Sequence, residues 1–470
     1  MQTSPSLWKK ARKTLIGSRA FYAAVLAIVV PMIIQNAITN FVNLLDNIMV
    51  GKIGTDQMTG VSIANQLLFV ANLCVFGGMG GAGIFSAQYH GAGSREGVQN
   101  CFRFKIYLAI ILSTVALSVF SLFGPQLISL YLNEGDAAER IALTLGYGMD
   151  YLKMMLWGFP PFAFSQSYAS SLRETGETKL PMRAAISGVL CNLVLNYTLI
   201  YGHFGAPAMG VRGAALATVI ARYLELSILI IGAHRSTDRF RFLEGIYRTM
   251  RVPLNLTKQI IIKGMPLLVN ELFWSLGVAT LARCYSMRGL DVVAALNINN
   301  TVSNVFSVVF LTMGNATAIL IGQALGAGET ERAKSDVWKL ASFAIFCSVG
   351  TALVLMACAP FIPLIYNTEP QIRALATRLL LVYACCMPLF SFCNTCYFTL
   401  RSGGKTIITF VFDSLYLWVL CIPVAFVLSR YTDMHILPMY IAVQSLDIIK
   451  CLIGYHMVKS KKWVRDLVST

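Results

Sequence analysis

The chain has 470 residues, of which 56% are hydrophobic and 13% charged, with a mean hydropathy of +0.65. Its apolar residues fall in repeated runs of about twenty, the length that crosses a hydrocarbon core about 30 Å thick, so an ordinary soluble domain is excluded. A formal net charge of +16 would suggest nucleic acid as the partner of a soluble protein. Here the basic residues sort by loop instead, and no nucleic-acid partner is expected.

A membrane-spanning helix satisfies its own backbone hydrogen bonds, which lipid cannot do for it. The sequence predicts an all-α integral membrane protein with about twelve spans, at 20–45, 57–85, 101–123, 143–168, 181–202, 210–233, 259–285, 291–322, 338–360, 376–399, 406–429 and 435–457. Lys9, Lys10, Arg12, Lys13 and Arg19 precede the first span. Arg235, Arg239, Arg241, Arg248 and Arg251 crowd the longest loop, and Lys459, Lys461, Lys462 and Arg465 close the chain. Cytoplasmic loops collect positive charge, so both termini are expected in the cytoplasm of a multi-pass protein of the plasma membrane. The twelve cysteines lie mainly in apolar runs and read as small buried hydrophobes.

Sliding the sequence against itself by about 235 residues brings Pro31 onto Pro266, Asn65 onto Asn300, and the run from Gln88 to Gly93 onto that from Gln323 to Gly328. A slightly smaller shift brings Leu172, Arg173, Gly176 and Thr178 onto Leu400, Arg401, Gly404 and Thr406. Such self-similarity marks a duplication. The even number of helices per half makes the repeats parallel, as in transporters that work by alternating access. The expected domains are a cytoplasmic segment (1–19), an N-lobe of helices 1–6 (20–233), a solvated cytoplasmic linker (234–258), a C-lobe of helices 7–12 (259–457) and a cytoplasmic tail (458–470).

The first span carries Asn36, Asn40, Asn43 and Asn47 on one helical face, with Gln35, Thr39 and Asp46 beside them. Polar groups facing lipid would each cost kilocalories, so this face is expected to look into a cavity or onto other helices. Pro31 removes a helical hydrogen bond and can act as a hinge, as can Pro266. Asp46 is the sharpest candidate, able to bind a proton or, ionised, to hold Na⁺ together with Asn192 and Asn196 on the fifth span and Thr218 on the sixth. In the second half, Glu271 is the candidate second carboxylate, with Asn297, Asn300 and Asn304 on one face of the eighth span. Substrate is expected to contact Gln35, Asn36, Asn40, Asn43, Glu271 and Asn300. Asp413 and Asp447 are expected to pair with Lys405 or Lys450, and Arg222 with Glu225. Arg173 and Arg401 read as structural. The glycine-rich run from Gly77 to Gly83 suits close internal helix packing.

Several stretches together resemble the multidrug and toxic compound extrusion (MATE) family over essentially the whole chain: Asp46 to Gly54, the Gln88 and Gln323 turns, Leu172 to Pro181, and Gly210 to Thr218. The resemblance implies two six-helix bundles around a V-shaped cleft, and export of organic cations, drugs or other amphipathic compounds in exchange for H⁺ or Na⁺. It also implies that Asp46, Asn192 and Thr218 belong to the N-lobe cation site, with Asn196 where some members carry an aspartate. Members with a C-lobe Na⁺ site carry a glutamate further along the seventh helix and an aspartate on the tenth. Those regions here read Ser275 and Ser391, so that site is not transferred to Glu271.

No Walker loop, kinase signature, HExxH or nucleophile elbow is present, so neither ATP hydrolysis nor any other enzymatic activity is expected. No cofactor is implied beyond the coupling ion, and the chain is expected to act as a monomer in the lipid bilayer on small molecules. The alternatives are a flippase for lipid-linked precursors, which would favour a strongly cationic cleft, an intramembrane enzyme, or a channel.

Overall fold

A computed structural model describes residues 14–51, 53–132, 138–366 and 368–468, and these contain helices but no strand. Lys9, Lys10, Arg12, Lys13 and Lys52 lie outside the described residues, as does the side chain of Asn47. Twelve long helices follow one another: α1 Arg19–Gly51, α2 Thr55–Gly91, α3 Arg95–Ser129, α4 Ala138–Glu174, α5 Lys179–Tyr201, α6 Val211–Arg235, α7 Leu254–Ser286, α8 Leu290–Gly326, α9 Thr330–Cys358, α10 Pro370–Ser402, α11 Thr406–Tyr431 and α12 Ile436–Lys459. Among the described residues, 11 are long and apolar enough to cross a membrane. The twelfth long helix is α4, whose apolar run is diluted by Pro160, Pro161 and several Ser residues. Many helices overrun the predicted spans. The 33 residues of α1 rise about 50 Å at 1.5 Å each, more than the hydrocarbon core needs, because polar end residues continue the backbone ladder beyond it.

The helices group into two compact units. One comprises residues 34–86 and 95–264, the other residues 14–33, 87–94 and 265–468. Three long apolar helices change unit, and two of them do so beside a proline: α1 after Ile33, two residues beyond Pro31, and α7 after Gly264, two residues before Pro266, whereas α2 changes after Ser86 with no proline in the helix. The core of the first unit is built from residues such as Leu68, Val75, Leu152, Phe159 and Ala215. In the second, Val25, Ile28, Val29 and Met32 of α1 pack with Met313, Ala316 and Ile321 of α8, and a separate cluster joins Leu355, Leu379 and Met439.

The repeat is visible as a contact. A Cβ added to Gly91 would overlap the Gln323 carbonyl, and one added to Gly326 would overlap the Gln88 carbonyl. Gly91 and Gly326 are repeat partners, as are Gln88 and Gln323, so the two turns meet about a pseudo-twofold axis, backbone against backbone. Gln88 has no exposed surface. Its amide donates to the Ser402 carbonyl at 2.9 Å and accepts from the Leu467 N–H at 2.8 Å, which pins the chain's end to this turn.

The segment expected as a solvated loop keeps its arginines exposed and carries apolar anchors. Phe240, Phe242, Leu243 and Ile246 are all buried. Arg103 donates to the Ile246 carbonyl at 3.1 Å, Tyr107 to that of Met250 at 2.9 Å, and Arg95 pairs with Glu244 at 2.9 Å. The exposed basic residues alternate with these buried anchors, which charge count alone does not reveal.

The glycine contacts predict opposite signs for one substitution. Gly326→Ala forces the two turns apart and is expected to lower the melting temperature of the detergent-solubilised protein, by an overpacking cost of about 1–3 kcal/mol. Gly350→Ala, in α9 where a Cβ meets nothing within 4 Å, is expected to leave it unchanged or raise it by up to about 1 kcal/mol of stability.

Candidate functional site

Three helices of one unit bring the predicted N-terminal group together. α1 supplies Asp46, α5 supplies Asn192 and Asn196 one turn apart, and α6 supplies Thr218. Asn196 donates its amide to Asp46 Oδ1 at 2.7 Å. With its amide turned so that the nitrogen faces the carboxylate, Asn192 donates to Asp46 Oδ2 at 2.8 Å, and its oxygen lies 3.1 Å from the Thr218 hydroxyl. Asn192 and Asn196 are only 6% and 2% exposed, whereas Asp46 and Thr218 are half-buried. Tyr201 of α5 donates to the Met49 carbonyl at 2.9 Å and holds the end of α1 in register.

The chemistry of this group follows from its donors. Asp46 is held by neutral amides and forms no ion pair with a described residue. Asn196 Oδ1 is buried and has no hydrogen-bond partner among the described residues. The amide N–H groups favour the ionised carboxylate; turned over, the same amides offer oxygens that, with the carboxylate and the hydroxyl, make a donor set of the kind that suits a hard cation such as Na⁺.

The remaining predicted residues scatter. Gln35, Asn36 and Asn40 are half-buried on α1, and Asn43 is exposed. Asn297, Asn300 and Asn304 are exposed, while their neighbour Asn299 is buried and donates to Tyr440 at 3.4 Å. Asn300 does not line the cavity that holds Glu271. That cavity lies within the other unit, has a volume of about 530 Å³, and is walled by aromatic residues including Trp274, Phe310, Phe390 and Phe398. Asp413, also in its wall, pairs with Lys450 at 2.8 Å and accepts from Asn270 at 3.3 Å. It sits in a π-helical turn, Val411–Leu415, the kind of helix irregularity that accompanies functional sites. Arg222 does not pair with Glu225. Its guanidinium donates to the Gly158 carbonyl at 3.1 Å and stacks on Phe162 at 4.9 Å.

Sequence reading passed over Lys105, a charge inside the third apolar run that should have been flagged as partnered. It has no exposed surface. Its ammonium donates to both oxygens of Glu174 at 2.7 and 2.6 Å, to Ser170 at 3.0 Å and to Ser171 at 3.1 Å. Glu177, three residues on, accepts from the backbone N–H groups of Lys179 and Leu180 at the start of α5. The run from Leu172 to Pro181 is therefore a structural joint between α4 and α5.

The MatE family profile matches residues 31–198 and 266–427. A probable multidrug resistance protein NorM of Thermotoga maritima is 24% identical over 94% of this chain and 92% of its own length. A probable multidrug resistance protein YoeA of Bacillus subtilis is 24% identical over 99% of this chain and 97% of its own. A solved structure described as the outward-facing conformation of a multidrug resistance MATE family transporter of the MOP superfamily superposes with a TM-score of 0.83 at 20% identity, covering 93% of this chain and 96% of that one.

The Lys105 pair gives a stability prediction. Lys105→Met removes the buried ammonium that both Glu174 oxygens accept from and is expected to cost about 3 kcal/mol. Adding Glu174→Gln should recover much of that loss in the melting temperature of the solubilised protein.

Proposed function

This chain belongs to the MatE family of multidrug and toxic compound extrusion transporters, and from that premise we propose a cation-coupled antiporter that exports organic cations, drugs or other amphipathic compounds by alternating access. The observation that carries the reading is the Asp46 carboxylate held at 2.7 Å by Asn196, with Asn192 and Thr218 completing an oxygen-rich group. The coupling ion is H⁺ or Na⁺. Either ion reduces the carboxylate's demand for the two amide donors, so α1 can repack against α5 and α6. Only an ion that binds the two states unequally can shift their balance. Pro31 and Pro266 serve as the hinges, residues 20–233 and 259–457 as the lobes, and both termini lie in the cytoplasm of a plasma-membrane monomer.

The test is ethidium efflux from proteoliposomes driven by an imposed pH gradient and, separately, by a Na⁺ gradient. Wild-type protein is expected to respond to one of them, and Asp46→Asn to fall to the rate of protein-free liposomes while keeping its melting temperature, because an amide can retain a hydrogen bond to a neighbouring asparagine. Undiminished efflux by Asp46→Asn would remove Asp46 from the mechanism. If neither gradient drives the wild type, the flipping of lipid-linked precursors becomes the reading to measure.

A further inference from the structure

The cavity of about 530 Å³ in the unit containing α8–α12 holds five ionisable side chains: Glu271, Asp413 and Asp447 against Arg401 and Lys450. With all five ionised, the wall carries a net charge of −1. Lys450 is bound in place from two directions. Its ammonium donates to Asp413 Oδ1 at 2.8 Å, and it lies over the rings of Phe412 and Tyr416, 5.3 and 5.9 Å from their centroids. A carboxylate between aromatic faces is the niche that an organic cation would seek. The protein's own ammonium already fills it.

The duplication shows that this arrangement is not simply inherited. The shift that takes Arg173 to Arg401 also takes Arg222 to Lys450, and Phe162 to Phe390. In the first half Arg222 rests on the Gly158 carbonyl and the Phe162 ring, with Glu225 near but not in hydrogen-bond contact, and the residue matching Asp413 is Ala185. The second half therefore has both a compact ammonium and a new carboxylate, which cancel. A buried ion pair contributes little to stability compared with a well-packed apolar pair, so the pair needs another use. Glu271 lines the same cavity, where the Arg401 guanidinium attracts its carboxylate and Asp413 repels it.

We propose that Lys450 is a tethered counter-ion that sets the charge of this cavity, making it a site for singly charged organic cations with Glu271 as the carboxylate that meets them. This deepens the exporter reading and rests on its substrate class. A monocation brings the wall to neutrality, whereas a dication leaves a net positive charge in a poorly hydrated space. Lys450 is thus a specificity-determining residue. Removing its charge takes the wall to −2 and favours a dication.

The experiment is equilibrium binding to the purified full chain in detergent, without any gradient, read by quenching of tryptophan fluorescence, since Trp274 lines the cavity. The probes are tetraphenylphosphonium as monocation and methyl viologen as dication. Wild type is expected to prefer tetraphenylphosphonium. Lys450→Gln is expected to raise the ratio of dication to monocation affinity about tenfold or more, about 1.4 kcal/mol per factor of ten, and Lys450→Gln with Asp413→Asn to return it to the wild-type value. Glu271→Gln, which leaves the ion pair intact, is expected to lose monocation binding. Trp274→Phe should abolish most of the quench. An unmoved ratio in Lys450→Gln, or equal weakening of both probes, would mean a purely structural pair and would overturn the proposal. Should Lys450→Gln fail to fold, undiminished monocation binding by Glu271→Gln overturns it instead. Wild type that binds neither probe would overturn the organic-cation reading as well, while loss of ion coupling in liposomes leaves this result untouched.

Discussion

The bilayer interior offers no hydrogen-bond partner, so a charged group that enters it needs one in the protein. This chain meets the constraint in two ways. Lys105 is surrounded by Glu174 and two serine hydroxyls, and Lys450 by Asp413 and two aromatic faces. In such pairs each charge leans on the other, and removing one costs several kilocalories. Asp46 is different. It is held by asparagine amides, which are neutral. If it takes up a proton or a Na⁺, no bare cation is left behind. A carboxylate held by neutral donors can change its charge state within a folded membrane protein, whereas one held by a lysine is committed to staying ionised.

Duplication supplied the scaffold, and divergence between the copies supplied the difference between the two polar sites. The Gly91 and Gly326 turns meet almost as equivalents, because a backbone-to-backbone contact tolerates no side chain on either copy. Away from that axis the copies are free to differ. The first has Asp46 and its asparagines; the second has Glu271, Asp413 and Lys450. Arg222 and Lys450 stand at matching places but face unlike surroundings, one a backbone carbonyl and the other a carboxylate.

The helices were legible because lipid imposes a length and a composition that a single sequence displays directly. The predicted 406–429 and 181–202 lie within a few residues of Thr406–Tyr431 and Lys179–Tyr201. The N-terminal polar group was legible for a related reason: a carboxylate and amides in apolar runs have few places to go, and motif resemblance supplied the pairing. What failed was anything dependent on an unseen partner. Arg222 and Glu225 have the spacing of a helical ion pair, yet a neighbouring carbonyl and ring claim the guanidinium. Residues 236–253 read as solvated because five arginines stand in or beside them, and their arginines are exposed, but the buried anchors Phe240, Phe242, Leu243 and Ile246 were not foreseen. Asn297, Asn300 and Asn304 share a face as expected and are exposed there, while the unremarked Asn299 is buried and makes the contact with Tyr440.

On the proposed reading of Asp46 as the coupling group, the helix that carries it lets the group act without touching a substrate. α1 is continuous from Arg19 to Gly51, and its first half is built into a core with α8 through Val25, Ile28, Val29 and Met32. Its second half belongs with α5 and α6. The compact units change hands just past Pro31, where the missing N–H already weakens the helical ladder. A change in how Asp46 is held would alter the packing of the second half, while the first half remains fixed by its own core. The strain would then collect at the one turn least able to resist it. Coupling on this view requires two firmly packed helix segments and a weak joint between them, which a chain of side-chain contacts could not replace.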